Sequence, residues 1–247
     1  MKILSLNLHC FQEENRIAKL DKIINFIKEN DVDVCMFQEV CQQHSATLLE
    51  GKIKVGNSAK YISNKLDYNI FYHPVKIGFE IYDEGLAIIS KLPIKNQSYK
   101  IISNTKDYNT WLKRDLIWCK IDNITFFNTH VGWDMGDESG MKQLDKIIDE
   151  IKRHEERYFI AGDFNYPDNS DEIKYFKKYV YSLSDLANVI SSENPTFHFN
   201  LDNGMGSNNR MIDFIFTNNL CDVKQFEIIF DKPNEYVSDH SGIFVEI

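Results

Sequence analysis

The sequence predicts an α/β fold in which two packed sheets carry their helices on the outside. Two observations lead there. Roughly a dozen short β-prone runs occur beside only three or four stretches of helical spacing, whereas a purely parallel sheet needs a helix after nearly every strand. No linker divides the chain: among 247 residues only 11 are Gly and 5 are Pro, and no Ser/Gly-rich run appears. No repeat of roughly 20–50 residues is visible either, so residues 1–247 read as a single domain.

Taken in order, Lys2–Leu8 alternates and is β-prone. Arg16–Glu29 sets Ile17, Leu20, Ile23, Ile24 and Ile27 on one helical face, and Asn30-Asp31 ends it. Val32–Phe37 is a short apolar run that predicts a buried strand; residues 42–66 are mixed with helical character. Asn69–Phe79 and Leu86–Ser90 read as strands, with Tyr82-Asp83-Glu84-Gly85 as the turn between them. Tyr99–Ser103, Asp115–Ile121 and Ile124–Thr129 continue the strand series, the last two joined through Asp122-Asn123. Met141–Lys152 restores helical spacing through Leu144, Ile147, Ile148 and Ile151. Tyr158–Ala161 is a strand, residues 170–179 are helical, and Met211–Phe216, Val223–Ile229 and Gly242–Ile247 close the chain as strands.

Composition narrows the function. A hydrophobic share of 43% with 26% charged residues is that of a globular protein and excludes a disordered or fibrous chain. No apolar run approaches the roughly 20 residues of a membrane helix. With 28 Lys+Arg against 37 Asp+Glu, the net charge of −9 disfavours nucleic acid and anionic lipid unless a basic face or bound cations intervene. The five cysteines form no C-x-x-C pair and mostly sit in apolar runs, which predicts buried reduced thiols. Met1 leads straight into Lys2-Ile3-Leu4-Ser5-Leu6, too short for the apolar core of a secretion signal, and the expectation is a cytoplasmic protein.

The chemistry gathers at strand ends: Asn7-Leu8-His9, Gln38-Glu39, Asn128-Thr129-His130, Gly162-Asp163-Phe164-Asn165, Asp213 within an apolar run, and Ser238-Asp239-His240. Strands lying side by side would bring these groups to one edge. Each piece alone has a plainer explanation. Gln-Glu suits a solvated turn, Gly-Asp-Phe-Asn an Asx turn or helix cap, and Asp213 a hydrogen-bonded buried acid. Together they form a donor set of Asp, Glu, Asn and His without Cys, which suits Mg²⁺ or Mn²⁺. Two histidines beside carboxylates can move protons near neutral pH. There is no Gly-rich phosphate loop and no G-x-S-x-G elbow. Metal-assisted phosphoester hydrolysis follows.

In that order, and with Glu84-Gly85-Leu86-Ala87-Ile88-Ile89-Ser90 and Ile212-Asp213-Phe214-Ile215-Phe216, these motifs resemble the endonuclease/exonuclease/phosphatase superfamily from residue 2 to 247. The resemblance implies a four-layer α/β sandwich with two mostly antiparallel central sheets. It implies Glu39 as the main metal ligand, Asn7 beside it on phosphate or metal-bound water, and Asp239 supporting the metal side. Asp163 and Asn165 would orient the attacking water and a phosphate oxygen, and His240 would pair with Asp213. His130 matches the second histidine of the deoxyribonuclease and sphingomyelinase branches, with Glu84 as its orienting acid. Arg114 and Arg210 are the arginines best placed for phosphate. Several nucleases carry an acid where this chain has His9, which puts a second metal position in doubt; hydrogen bonding beneath the site is the plainer role for His9.

The loops bear on substrate. Residues 132–140 hold Asp134, Asp137 and Glu138 and no base, the segment after Asp163 adds Asp168, Asp171 and Glu172, and residues 201–209 hold Asp202 and no base. A nucleic-acid groove needs Lys and Arg along its path. Neither a secretion signal nor an exposed aromatic hairpin, as a membrane-acting sphingomyelinase would want, is evident. Trp133 next to the site suits stacking on a sugar ring, with burial in the core as the alternative. Leu6-Asn7-Leu8-His9, Tyr82-Asp83-Glu84-Gly85-Leu86-Ala87 and Gly132-Trp133 also resemble the bacterial sugar-phosphate phosphatase branch that includes maltose-6′-phosphate phosphatase. The expected function is a Mg²⁺-dependent phosphomonoesterase of a sugar or similar small phosphate, with no membrane and no obligate protein partner. A nuclease or other phosphodiesterase of the same fold is the alternative. A non-catalytic scaffold would have lost one of Glu39, Asp163, Asn165 or His240, and all four are present.

Overall fold

The computed structural model describes residues 1–9, 11–188, 195–198 and 211–247. Two six-stranded sheets form its centre. The first runs β13 (Gln225–Ile229), β14 (Gly242–Glu246), β1 (Lys2–Asn7), β2 (Val34–Gln43), β6 (Tyr82–Ser90), β5 (Asn69–Gly78). The second runs β11 (Tyr181–Ser182), β12 (Asp213–Thr217), β10 (Tyr158–Asp163), β9 (Ile124–His130), β8 (Asp115–Ile121), β7 (Ile94–Ile101). A two-stranded ribbon, β3 (Leu48–Glu50) with β4 (Ile53–Lys54), stands apart.

Alternation along the strands builds the layers. Ile3, Val34, Met36 and Ile88 of the first sheet meet Ile117, Phe126, Phe159 and Ile215 of the second in the middle core. The intervening residues Leu4, Leu6, Cys35 and Phe37 turn outward under α1 (Arg16–Glu29) and α2 (Ser58–Leu66). On the far side Phe127, Ile160 and Phe216 pack beneath α3 (Gly140–Ile151) and α4 (Asp171–Phe176). A short α5 (Leu183–Leu186) follows β11. The order helix, sheet, sheet, helix is the expected four-layer sandwich, and the helical face of Leu20, Ile23, Ile24 and Ile27 is buried as its spacing requires.

Among the described strands two pairs are parallel, β1 with β2 and β9 with β10. Each is joined by a helix, α1 in one sheet and α3 in the other, as a parallel crossover demands. Both units end at the same edge, where the antiparallel β12 and β14 begin.

The structure corrects several expectations. Tyr82–Gly85 is no turn but the start of β6; the chain reverses at Phe79-Glu80-Ile81, with Ile81 N donating to Gly78 O and with Phe79 and Glu80 both at positive φ. That conformation normally selects Asn or Gly, so the turn carries no signature. The tip leaves Phe79 73% and Ile81 64% exposed, so an apolar hairpin tip does exist. The stretch 42–66 divides into the end of β2, the β3–β4 ribbon and α2, and the strand expected at Tyr99–Ser103 is β7, beginning at Ile94. Cys35 and Cys119 are the expected buried thiols, but Cys41 is disulfide-bonded. Among the described residues no helix is long and apolar enough to cross a membrane.

Candidate active site

The edge where the two crossover units end collects the polar residues. Asn7 closes β1, and Glu39 lies within β2 at an irregularity between Phe37 and Val40, where two residues face one on β6. Glu39 takes a left-handed φ of 47° there. A bulge of this kind re-aims a side chain out of the strand's alternation, and it turns Glu39 toward Asn7. Asn7 Nδ2 donates to Glu39 Oε1 and to Asp163 Oδ2, both at 3.1 Å, so one buried amide joins a carboxylate from each sheet. Beneath it Asn128 of β9 donates to the carbonyls of Phe37 and Ala87 at 2.9 Å, and its oxygen accepts from Gln38 Nε2 at 2.7 Å.

Asp163 ends β10 and faces both His130 and Asp213 in register. Its Oδ1 accepts the Asn165 N–H at 2.8 Å. Asn165, at a left-handed φ of 57°, donates through Nδ2 to Val131 O at 2.7 Å and to His130 Nε2 at 2.9 Å. Nε2 is then the acceptor, and the proton of a neutral His130 sits on Nδ1, 3.9 Å from Glu39 Oε1. Burial, reinforced by Arg114 and Lys76, holds His130 well below the usual histidine range. The orienting acid expected of Glu84 is not on this ring: Glu84 pairs with Lys76 Nζ at 2.9 Å.

His240 Nδ1 lies 2.9 Å from Asp213 Oδ2, and Nε2 lies 3.6 Å from Asp163 Oδ2. All three side chains are buried. Burial opposes charge on the ring, but the carboxylates of Asp213 and Asp163 outweigh it and raise His240 well above the usual histidine range. Burial also raises Asp163 to about 7, against the pull of His240. Glu39 is pushed up by burial and then by Glu84 and Asp239.

This crowding of acids fits a cation with oxygen ligands. Glu39 and Asp163 converge through Asn7, and Asp163, Asp213 and His240 offer ligand atoms within 4.8 Å of one another. His9, Glu13 and Asp239 form a second such group. There His9 Nδ1 meets Glu13 at 2.5 Å and Asp239 at 3.6 Å, while Lys19 already pairs with Glu13. His9 is therefore hydrogen-bonded at the margin of the site.

Arg114 is placed differently from a free phosphate clamp. It is buried, and Nη1 donates to the carbonyls of Trp111 at 2.6 Å and Lys113 at 3.1 Å, although the guanidinium still lines a small pocket with Glu39 and His130. Arg210 and the loop 201–209 lie outside the described residues. The same pocket holds Lys76 and Lys113, which sequence reasoning missed. Lys76 sits between apolar neighbours on β5 and pairs across the hairpin with Glu84, a signal that a correctly placed turn would have exposed.

The acidic rim is partly turned inward. Glu138 accepts the N–H groups of Asn104 and Thr105, and Asp134 accepts the Gly140 N–H and the Tyr166 O–H. Asp168 pairs with Lys177. Trp133 is not a core residue: it is 50% exposed, and beside it stands Trp111, 46% exposed, with ring centroids 6.4 Å apart.

Residues 4–240 match the family model described as "Endonuclease/Exonuclease/phosphatase family". No curated protein matches the chain. Among solved structures it is similar to an endonuclease/exonuclease/phosphatase family protein from Leptotrichia buccalis, at 24% identity and a TM-score of 0.88, over 100% of this chain and 99% of that one. It is similar to a mannosyl-6-phosphatase from Bacteroides thetaiotaomicron, at 18% identity and a TM-score of 0.72, over 100% and 98%. It is also similar to D. rerio TDP2 complexed with a single-strand DNA product, at 16% identity and a TM-score of 0.70, over 99% and 97%.

Proposed function

For a chain that belongs to the endonuclease/exonuclease/phosphatase family, we propose the activity of a Mg²⁺-dependent phosphomonoesterase acting on the phosphate of a sugar or similar small molecule. Glu39 would be the principal metal ligand, with Asn7 and Asp239 on the same side. A divalent cation bound there supplies Lewis acidity that neutralises charge on the phosphoryl oxygens.

The chain's own groups supply the rest. Asp163, raised toward neutrality by burial, takes the proton of the attacking water on Oδ2 while Asn165 N–H holds Oδ1. His240, kept cationic by Asp213, offers Nε2–H to a phosphoryl oxygen beside Asp163. His130 is neutral with Nε2 engaged by Asn165, so it holds an oxygen through Nδ1–H and does not protonate the leaving group from Nε2.

The observation that carries the monoester reading is the placement of cations. Lys76, Lys113 and Arg114 are buried together beside Glu39 and His130, held by Glu84, Asp115 and the Trp111 carbonyl respectively, so positive charge is concentrated next to the candidate metal ligand and favours a single phosphoryl group there. A diesterase on nucleic acid needs its cations along a path leading away from the site. Same-fold neighbours include one named for a mannosyl 6-phosphate and one holding DNA, so the fold alone does not choose.

The test is a panel of sugar phosphates, nucleotides, a plain aryl monoester and a bis-aryl diester, with Mg²⁺ or Mn²⁺ and with excess chelator. A sugar monophosphate should exceed the diester in kcat/KM by at least about tenfold, roughly 1.4 kcal/mol of transition-state discrimination. Full turnover in chelator refutes the metal requirement, and a diester or DNA preferred over every monoester refutes the phosphatase.

A further inference from the structure

Two of the chain's three tryptophans stand together close to residues that line the pocket of Glu39 and His130, and neither is part of the core. Trp133 is three residues past His130; Trp111 comes from the separate loop before β8. Their planes are inclined at 56° with centroids 6.4 Å apart, so they form a corner with two walls and not a parallel slot. Among the described residues the two indoles remain about half exposed, and this leaves apolar area in water that a ligand surface would remove.

The corner is tied to the catalytic pocket through the backbone. The Trp111 carbonyl accepts from Lys76 Nζ at 3.2 Å and from Arg114 Nη1 at 2.6 Å. Both donors line the pocket that holds Glu39 and His130. On the other side, the Gly132 N–H donates to Gln143 Oε1 at 2.8 Å, and this pins the strand end that carries Trp133 to α3. A Cβ at Gly132 would come within 3.3 Å of Arg114 Nε, so the glycine lets the two loops close on one another. The walls are thus held in place relative to Lys76 and Arg114 before any ligand binds.

We propose that Trp111 and Trp133 together form the leaving-group subsite and that its ligand is a pyranose ring. The assignment rests on the phosphomonoesterase reading for its place in the reaction. A flat nucleobase can stack on only one of two walls inclined at 56°. A puckered pyranose presents C–H groups on its face and along its edge, and so fills both. Trp111 is on this account a specificity residue.

The experiment uses the full chain with Trp118→Phe, which removes the one indole outside the corner and leaves Trp111 and Trp133 as fluorescent reporters. Two arms separate the proposals. In the kinetic arm, Trp111→Ala should lower the ratio of kcat/KM for a hexose 6-phosphate to that for glycerol 3-phosphate by about tenfold, or 1.4 kcal/mol, mostly through KM. Trp111→Phe should fall between. An unchanged ratio overturns the subsite, and a loss confined to nucleoside monophosphates overturns the pyranose. In the binding arm, methyl glucoside and methyl mannoside, which carry no phosphate, should quench the indole emission at millimolar concentration, and Trp111→Ala should abolish the saturable part. That arm reads the corner even if no monoester is hydrolysed, and absence of saturable quenching by either pyranoside overturns the inference independently of catalysis.

Discussion

Replacing Asp213 with asparagine keeps an oxygen against His240 Nδ1 while removing the charge that faces it at 2.9 Å. At an effective dielectric of about 20, a unit charge pair at that separation is worth roughly 6 kcal/mol before desolvation is counted. The second carboxylate, Asp163, remains 3.6 Å from Nε2, so the imidazolium is not left alone. Losing the first attraction therefore lowers the ring's pKa, while Asp163 still opposes the fall. The direction follows from the native state. His240 is raised, so any step that uses its charged form is present below that raised pKa and lost as pH rises through it. In Asp213→Asn the loss should move to lower pH. Near pH 8 the deficit in kcat should reach about 10²–10⁴, the range of a positioned acid–base group, and it should shrink as the pH is lowered. The assay is the pH profile of kcat under saturating metal, paired with NMR titration of the His240 ring. His240→Ala combined with Asp213→Asn should be little worse than His240→Ala alone, because the two act as a unit. A deficit that is constant with pH, or defects that multiply, refutes the pair.

Glu39→Gln should raise the metal concentration needed for half-maximal activity more than it lowers kcat at saturating metal, checked by Mg²⁺ and Mn²⁺ titration; equal loss at all metal concentrations would count against Glu39 as a ligand. Asn128→Ala removes three buried hydrogen bonds between the sheets and takes the Asn128 donor from two carbonyls, while the Gln38 amide keeps Ser5 Oγ and Met36 O as acceptors. The substitution should cost about 2–3 kcal/mol and lower Tm by roughly 5–10 °C, measured by calorimetry. Burial holds His73 below its ordinary range despite its bond to Asp115. The unfolded chain therefore takes up that proton first, and stability is lost as pH falls from the unfolded value toward the depressed one. The Tm difference between wild type and His73→Gln should accordingly shrink between pH 7 and pH 5, and a difference that is flat with pH would rule the titration out.

What the sequence makes legible is what repeats with a period. The apolar face of α1 and the alternation of β1, β9 and β10 follow from spacings of 3.6 and 2, and they were enough to place Asn7, His130 and Asp163 at strand ends. The features that escaped lack a period. Phe79 and Glu80 turn the chain at positive φ without Asn or Gly, so nothing in their sequence marks the hairpin or pairs Lys76 with Glu84. The bulge at Glu39 belongs to the mismatch between β2 and β6, which neither strand records alone. Trp111 sits in a loop, and only its contact with Trp133 gives it meaning. Glu138 and Asp134 read as free acids because a sequence does not show which backbone amides they accept from.

The location of the site follows from the two crossover units. A parallel pair needs a helix to return the chain, and each unit leaves its strand ends and the loops beyond them at the same edge. One unit lies in each sheet, so groups that must act together come from opposite sides of the middle core. The Asn7 amide closes that gap by reaching Glu39 in its own sheet and Asp163 in the other. The distance between these carboxylates is therefore set by how Ile3, Met36, Phe126 and Phe159 fill the layer below, and interiors this dense transmit small shifts. Change in that layer should reach the chemistry through Asn7 and Asn128 even though it touches no substrate. The indole corner hangs on separate loops, tied at the Trp111 carbonyl on one side and at the Gly132 N–H on the other, so change in those loops can alter the corner while the carboxylate spacing stays fixed.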